Sequence, residues 1–127
     1  MSVKVDLNEL AGKFAEYPFG YLITVGDDYH AHTVAVEPRL VDGVIDVGPV
    51  GGHTRSNIAS HPNVTVVCPP RQSGDYSLII DGEGRAGADD ESQQIVPSRA
   101  VLHRRRSAPP AGATSAAIND CVVLSEN

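Results

Sequence analysis

The dipeptide Asp42-Gly43, set between Arg39-Leu40-Val41 and Val44-Ile45-Asp46-Val47, constrains this chain more than any other feature. Aspartate followed by glycine accepts the positive φ angles of a two-residue hairpin link, so the segment commits the chain to antiparallel strands and tight turns. The flanking sequence agrees. Gly20 to Val25 is a short apolar run, Gly26-Asp27-Asp28 a turn signal and Tyr29 to Val36 an alternating return strand, which together predict a meander. Twelve glycines and nine prolines in 127 residues suit a turn-rich β protein and stay below the low-complexity range.

Elsewhere the pattern changes period. Asp6 with Glu9 three residues on reads as a helix N-cap and its capping-box partner, and Leu7, Leu10, Ala11 and Phe14 fall on one helical face, giving a helix within residues 1–18 that ends near Pro18. Gly48-Pro49-Val50-Gly51-Gly52 interrupts the strands, and Thr54 to Ser60 predicts a short helix stopped at His61-Pro62. Val64 to Cys68 and Ser77 to Gly82, the latter extending toward Arg85, predict a further pair joined by the loop 69–75. The polar stretch Asp89 to Gln94 separates these from Ile95-Val96 and Ala100 to His103. Residues 104–127 read as a loose tail with a Pro/Ala-rich stretch at 107–113 and an apolar Cys121-Val122-Val123-Leu124. The expectation is one domain over 1–127, mainly β, a small barrel or sandwich with two or three short helices. Strands and helices do not alternate as a parallel nucleotide-binding sheet requires.

Sixteen acidic against ten basic side chains give a formal charge of −6, which repels phosphate backbones and argues against nucleic acid as a partner. The basic run Arg104-Arg105-Arg106 reads as a solvated cluster. No stretch reaches the roughly 18 apolar residues of a membrane helix and no signal-peptide pattern opens the chain, so the expected setting is the cytoplasm without a membrane partner. Cys68 and Cys121 stand far apart without Cys-x-x-Cys spacing, which suggests neither zinc nor disulfides.

The segment Gly51-Gly52-His53-Thr54-Arg55-Ser56-Asn57 carries the most chemistry. A glycine loop feeding a helix leaves backbone N–H groups at the positive end of the dipole, where Thr54 and Ser56 hydroxyls, the Arg55 fork and the Asn57 amide could hold a phosphate monoester. The local alternative is that Thr54 caps the helix and Arg55 points to water. His30 and His32 share one side of a predicted strand without a third ligand, so no metal site is expected. Asp81 and Glu83 bracket Gly82, which favours a bulge over an acid–base pair. Tyr21, Tyr29 and Tyr76 could stack on a planar ligand or serve the core. No Gly-x-Ser-x-Gly elbow is present, so nucleophilic hydrolysis is not indicated.

The order of these elements resembles a known family. Gly20 to Val25, His32-Thr33-Val34-Ala35-Val36 and Asp42 to Val47, then Asn57-Ile58 with His61-Pro62-Asn63-Val64-Thr65-Val66, Tyr76 to Gly84 and Pro97 to Arg104, are similar to the FMN-binding split-barrel family typified by pyridoxamine 5′-phosphate oxidase. The likeness spans roughly residues 7 to 105. It implies a six-stranded split β-barrel that forms a homodimer with the cofactor at the subunit interface. The phosphate would lie against His53, Thr54, Arg55, Ser56 and Asn57, and the flavin ring along His32, Thr33 and Val34. The implied activity is that of an oxidoreductase acting on an unidentified small molecule, with FMN as cofactor. Thr54 stands where members that bind tightly often carry a lysine, which leaves a deazaflavin coenzyme, or no cofactor, as alternatives, and a non-catalytic binding or sensing protein as the other function. The oxidase's substrate-binding C-terminal region has no counterpart here.

Overall fold

The computed structural model describes residues 2–89 and 91–105. Within them the chain runs β1 (Ser2–Val5), a 3-10 turn (Leu7–Glu9), α1 (Leu10–Phe14), β2 (Gly20–Val25), β3 (Ala31–Val36), β4 (Arg39–Val41), β5 (Val44–Pro49), α2 (Gly52–Ser60), β6 (Asn63–Cys68), β7 (Ser77–Ala86) and β8 (Ser92–His103). The strands form one antiparallel sheet in the order β3-β2-β6-β7-β8-β5-β4, with β1 added against β8. Strands β3 and β4 therefore lie at opposite ends of the order, yet only Glu37-Pro38 separates them in sequence. A link that short spans roughly 10 Å, so the sheet has to curl until its two ends meet. No ladder joins β3 to β4, and the result is a barrel split along that seam. Six longer strands make the barrel wall, while β1 and β4 are short additions.

Inside the curl, Leu22, Val66, Cys68, Leu78, Ile80, Ile45 and Ile95 are fully buried, and Leu10 and Phe14 of α1 pack into the same core. Alternation along each strand puts these residues inward and their neighbours outward. The Asp42-Gly43 hairpin forms as its sequence requires, with φ of 51° and 79° at the two link residues and Val41 opposite Val44.

Several expectations change. Within the expected N-terminal helix, residues 2–5 are a strand, because Val5 buries its side chain in register with Ala100; only Leu7 to Phe14 is helical. Asp6 is the cap, its carboxylate accepting from the Asn8 N–H at 2.9 Å. Tyr29 takes a left-handed φ of 64° and belongs to the turn, so β3 starts at Ala31. The polar stretch 89–94 does not stop at a loop: Ser92 to Gln94 open a continuous twelve-residue β8, with Ser92 and Gln93 buried. Pro97 fits within it because β5 pairs with residues 92–95 and β1 with residues 100–103, leaving the proline in the gap between them. The linker at 107–113 and the run at 121–124 lie outside the described residues.

Candidate functional site

The split between β3 and β4 opens into a cleft of about 740 Å³ lined by Phe19, Ala35, Val36, Glu37, Arg39, Asp46, Val47, Gly48, Pro49 and Ser92. Its floor is shaped by a β-bulge between Asp46 and Gly48, where Gly48 has a φ of 74° and its N–H donates to the Asp46 carboxylate at 2.8 Å. A volume in this range accommodates a small planar ligand. One wall is β3, which pairs with β2 on one side and with no strand on the other among the described residues, so outward backbone groups remain available.

Pro49 at the rim leads through Val50 and Gly51 into α2. The Gly51 N-cap makes no side-chain cap, which leaves the first-turn N–H groups without a side-chain partner at the positive end of a nine-residue helix. Beside them lies Arg55, whose guanidinium donates to the Val50 carbonyl and whose second terminal nitrogen lies 3.7 Å from where a Cβ on Gly52 would sit. A fork so placed keeps further N–H donors in a fixed plane next to the helix end. That donor set, neutral backbone N–H groups with one fixed cation, is suited to a phosphate.

The sequence-predicted residues divide by direction. His53 and Ser56 are exposed and Arg55 half-buried, on the outward side of α2. Thr54 and Asn57 are buried and face the sheet, so the Thr54 hydroxyl is not on the outward surface. Asn57 donates to the Thr24 hydroxyl at 3.1 Å, and Ile58 packs so closely over Gly84 that a Cβ there would meet it at 2.8 Å. The Asn57-Ile58 motif thus docks the helix. His32 is half-buried on β3 and stacks on His53, with ring centroids 4.3 Å apart and planes 9° from parallel. Thr33 is exposed and Val34 half-buried on the same edge strand.

His30 pairs with Asp28 at 3.0 Å instead of joining His32, and no cluster of three or more His, Cys, Asp or Glu side chains is placed for a metal among the described residues. Asp81 accepts from Thr65 at 2.7 Å and from Arg99 at 3.3 Å; the expected bulge lies between Asp81 and Gly82, with Ser98 donating to the exposed Asp81 carbonyl. Sequence reasoning missed Glu37, Arg39 and Asp46 as cleft residues. The turn at Glu37-Pro38 was the available signal, but its meaning depends on strand order, which is not local.

No family model matches the chain. It is 46% identical over 136 residues, 96% of each chain, to uncharacterized protein Mb0449c of Mycobacterium bovis, and equally to uncharacterized protein MT0457 of Mycobacterium tuberculosis. The chain belongs to the family of these two proteins. Among solved structures it is similar to the FAD-binding protein of Mycobacterium smegmatis (TM-score 0.60, 14% identical, 80% of this chain and 98% of that one). An FAD-binding protein of Mesorhizobium loti has a TM-score of 0.62 at 12% identity, over 80% and 96% of the two chains. An F420 reductase has 0.54 at 17% identity, over 68% and 90%. At these identities the likeness establishes the fold alone, a split barrel of the pyridoxamine 5′-phosphate oxidase-like type. No helix among the described residues is long and apolar enough to cross a membrane.

Proposed function

We propose that this protein is a cytoplasmic, homodimeric flavoprotein that holds FMN, or the related deazaflavin coenzyme, at the split of its barrel and exchanges hydride or electrons with a small molecule. The observation that carries the reading is the α2 end without a side-chain cap, flanked by the Arg55 guanidinium and leading directly from the rim of the cleft. That the fold's solved neighbours include FAD-binding proteins and an F420 reductase supports it.

When bound, the flavin supplies the hydride or electron chemistry. The chain's own groups bind and orient. First-turn N–H groups with Arg55, Ser56 and His53 hold the phosphate, while Thr54 and Asn57 act from inside the fold by seating the helix. Edge-strand residues His32, Thr33 and Val34 offer backbone groups along the ring. For the dimer, the outer sheet face aligns Tyr21, Val67 and Ile79 across three strands, and with Phe19 packed edge-on to Tyr21 it forms an apolar surface for a second copy to cover.

An absorption spectrum of the purified protein, followed by fluorescence titration with FMN and with the deazaflavin, tests the reading. Saturable micromolar binding of either is expected; a colourless protein that binds neither overturns it. Thr54, buried where a lysine would bring charge, favours a binding protein without turnover as the second reading. Reduction of the bound cofactor by a nicotinamide donor decides for the enzyme.

A further inference from the structure

The cleft takes up where the proposed ring contacts end. Along β3, His32 stacks on His53 at the start of α2, Thr33 and Val34 follow, and the next two residues, Ala35 and Val36, are cleft wall. On the far side of the split, β5 carries the wall from Asp46 to Pro49 before the chain turns into α2. A flavin seated by its phosphate at α2, with its ring along residues 32–34, leaves the Glu37 end of the cleft open to the molecule with which it exchanges hydride.

The charges at that end do not cancel. Glu37 lies in the link that joins β3 to β4, Arg39 opens β4, and Asp46 stands on β5 directly across the ladder from Arg39. Despite that register, neither Arg39 nor Asp46 nor Glu37 enters an ion pair among the described residues. The Gly48 N–H at the bulge donates to one Asp46 oxygen at 2.8 Å and holds the carboxylate along its own strand. Asp46 is half-buried, so its orientation is set before any ligand arrives, and its second oxygen remains an acceptor.

Two carboxylates against one guanidinium leave one net negative charge in a cleft whose other walls include the Phe19 ring and the side chains of Val36, Val47 and Pro49. Phe19 stands at the Glu37 end, because its neighbour Gly20 pairs with Val36. An aromatic ring beside a carboxylate favours a cation with an apolar body. A neutral ligand of the same shape would strip water from the carboxylates without replacing it, and an anion would add repulsion.

We propose that this end of the cleft is the substrate subsite and that it takes a small planar organic monocation bearing N–H donors, with Asp46 as the fixed counter-ion, Glu37 as the second and Arg39 opposing any further positive charge. That the cation is the reactant rests on the flavin reading above; that the cleft binds it does not.

The test uses three planar probes of nearly one shape and different charge: benzamidinium, neutral benzamide and benzoate. Each is titrated into the full chain at neutral pH to about 10 mM, the range in which ligands of this size bind, while the backbone amide signals of Val36, Val47 and Gly48 are followed by NMR. Benzamidinium is expected to move these signals and to bind roughly tenfold or more tightly than benzamide, with benzoate leaving them in place. Asp46→Asn, whose side-chain oxygen still accepts from Gly48, should weaken benzamidinium about tenfold. Arg39→Gln makes the cleft more negative and should strengthen it roughly two- to fivefold; because Arg39 is exposed, this variant reads the sign of the charge effect even if Asp46→Asn fails to fold. Equal affinity for the three probes, preference for benzoate, no shift at the cleft signals, or weaker benzamidinium binding in Arg39→Gln overturns the inference. FMN is titrated into the wild type in parallel. FMN binding without a preference among the probes removes the cation subsite and leaves the flavin reading intact. A benzamidinium preference in a chain that binds no flavin keeps the cation site and overturns its role as the reactant's seat.

Discussion

The Asn57 side-chain amide donates to the Thr24 hydroxyl across 3.1 Å, with both residues buried. This bond ties the middle of α2 to β2, and therefore fixes where the start of the helix lies relative to the cleft. Asn57→Ala removes one partner and strands a buried hydroxyl, which costs about 1–3 kcal/mol. Denaturant unfolding should register that loss, and Thr24→Val in the same chain should recover part of it. If Asn57→Ala unfolds at the wild-type midpoint, the bond does not hold the helix.

Gly82 sits at the bulge between β7 and β8, where an added Cβ would lie 2.4 Å from the Val96 carbonyl oxygen and 2.8 Å from Ile95. Backbone cannot yield as a side-chain tip can. Gly82→Ala is expected to destabilise by about 2–4 kcal/mol, whereas Gly51→Ala, which meets nothing within 4 Å, should be close to neutral for stability. Thermal melts of the two variants side by side distinguish them.

The parts of this fold that were legible in the sequence depend on neighbours in the chain. Asp6 caps its turn and Asp42-Gly43 makes its hairpin because each satisfies backbone demands within a few residues. The sequence pattern also brought together His53, Arg55 and Ser56 on one helix, since the spacing alone sets that. What stayed hidden depends on partners far along the chain. β1 is four residues whose only reason to be extended is β8, and β8 conceals its length behind Pro97 and polar residues that pair normally once β5 and β1 flank them. Thr54 reads as a donor in sequence, and only the packing of α2 on the sheet turns it inward. The cleft brings Glu37 and Asp46 together through closure of the barrel, which no local pattern encodes.

Burial pushes the Cys68 thiol up from its ordinary 9.0 to about 12. The folded state therefore keeps its proton at pH values where the unfolded chain has lost it. The sign follows: below pH 9 the thiol adds no pH dependence, and from about pH 9 to 12 it makes stability fall as pH rises. In Cys68→Ala that component is absent, so unfolding free energy should decline less steeply over the same interval. With Cys121→Ser as background, native Cys68 should also resist alkylation at pH 8 and react only after denaturation; rapid labelling of the folded protein would contradict the burial.

Arg55 is the residue on which the proposed cofactor site depends most. Its guanidinium both braces the loop through the Val50 carbonyl and stands beside the first turn of α2. Arg55→Ala removes the fixed charge and the brace together, and should weaken FMN binding at least tenfold, about 1.4 kcal/mol or more. Arg55→Lys separates the two roles, because an ammonium restores charge without the planar fork; its Kd should fall between those of wild type and Arg55→Ala. Circular dichroism of both variants should match wild type, since the half-buried side chain lies outside the core. An unchanged dissociation constant in Arg55→Ala would remove this arginine from the site and leave the helix end to hold the phosphate without it.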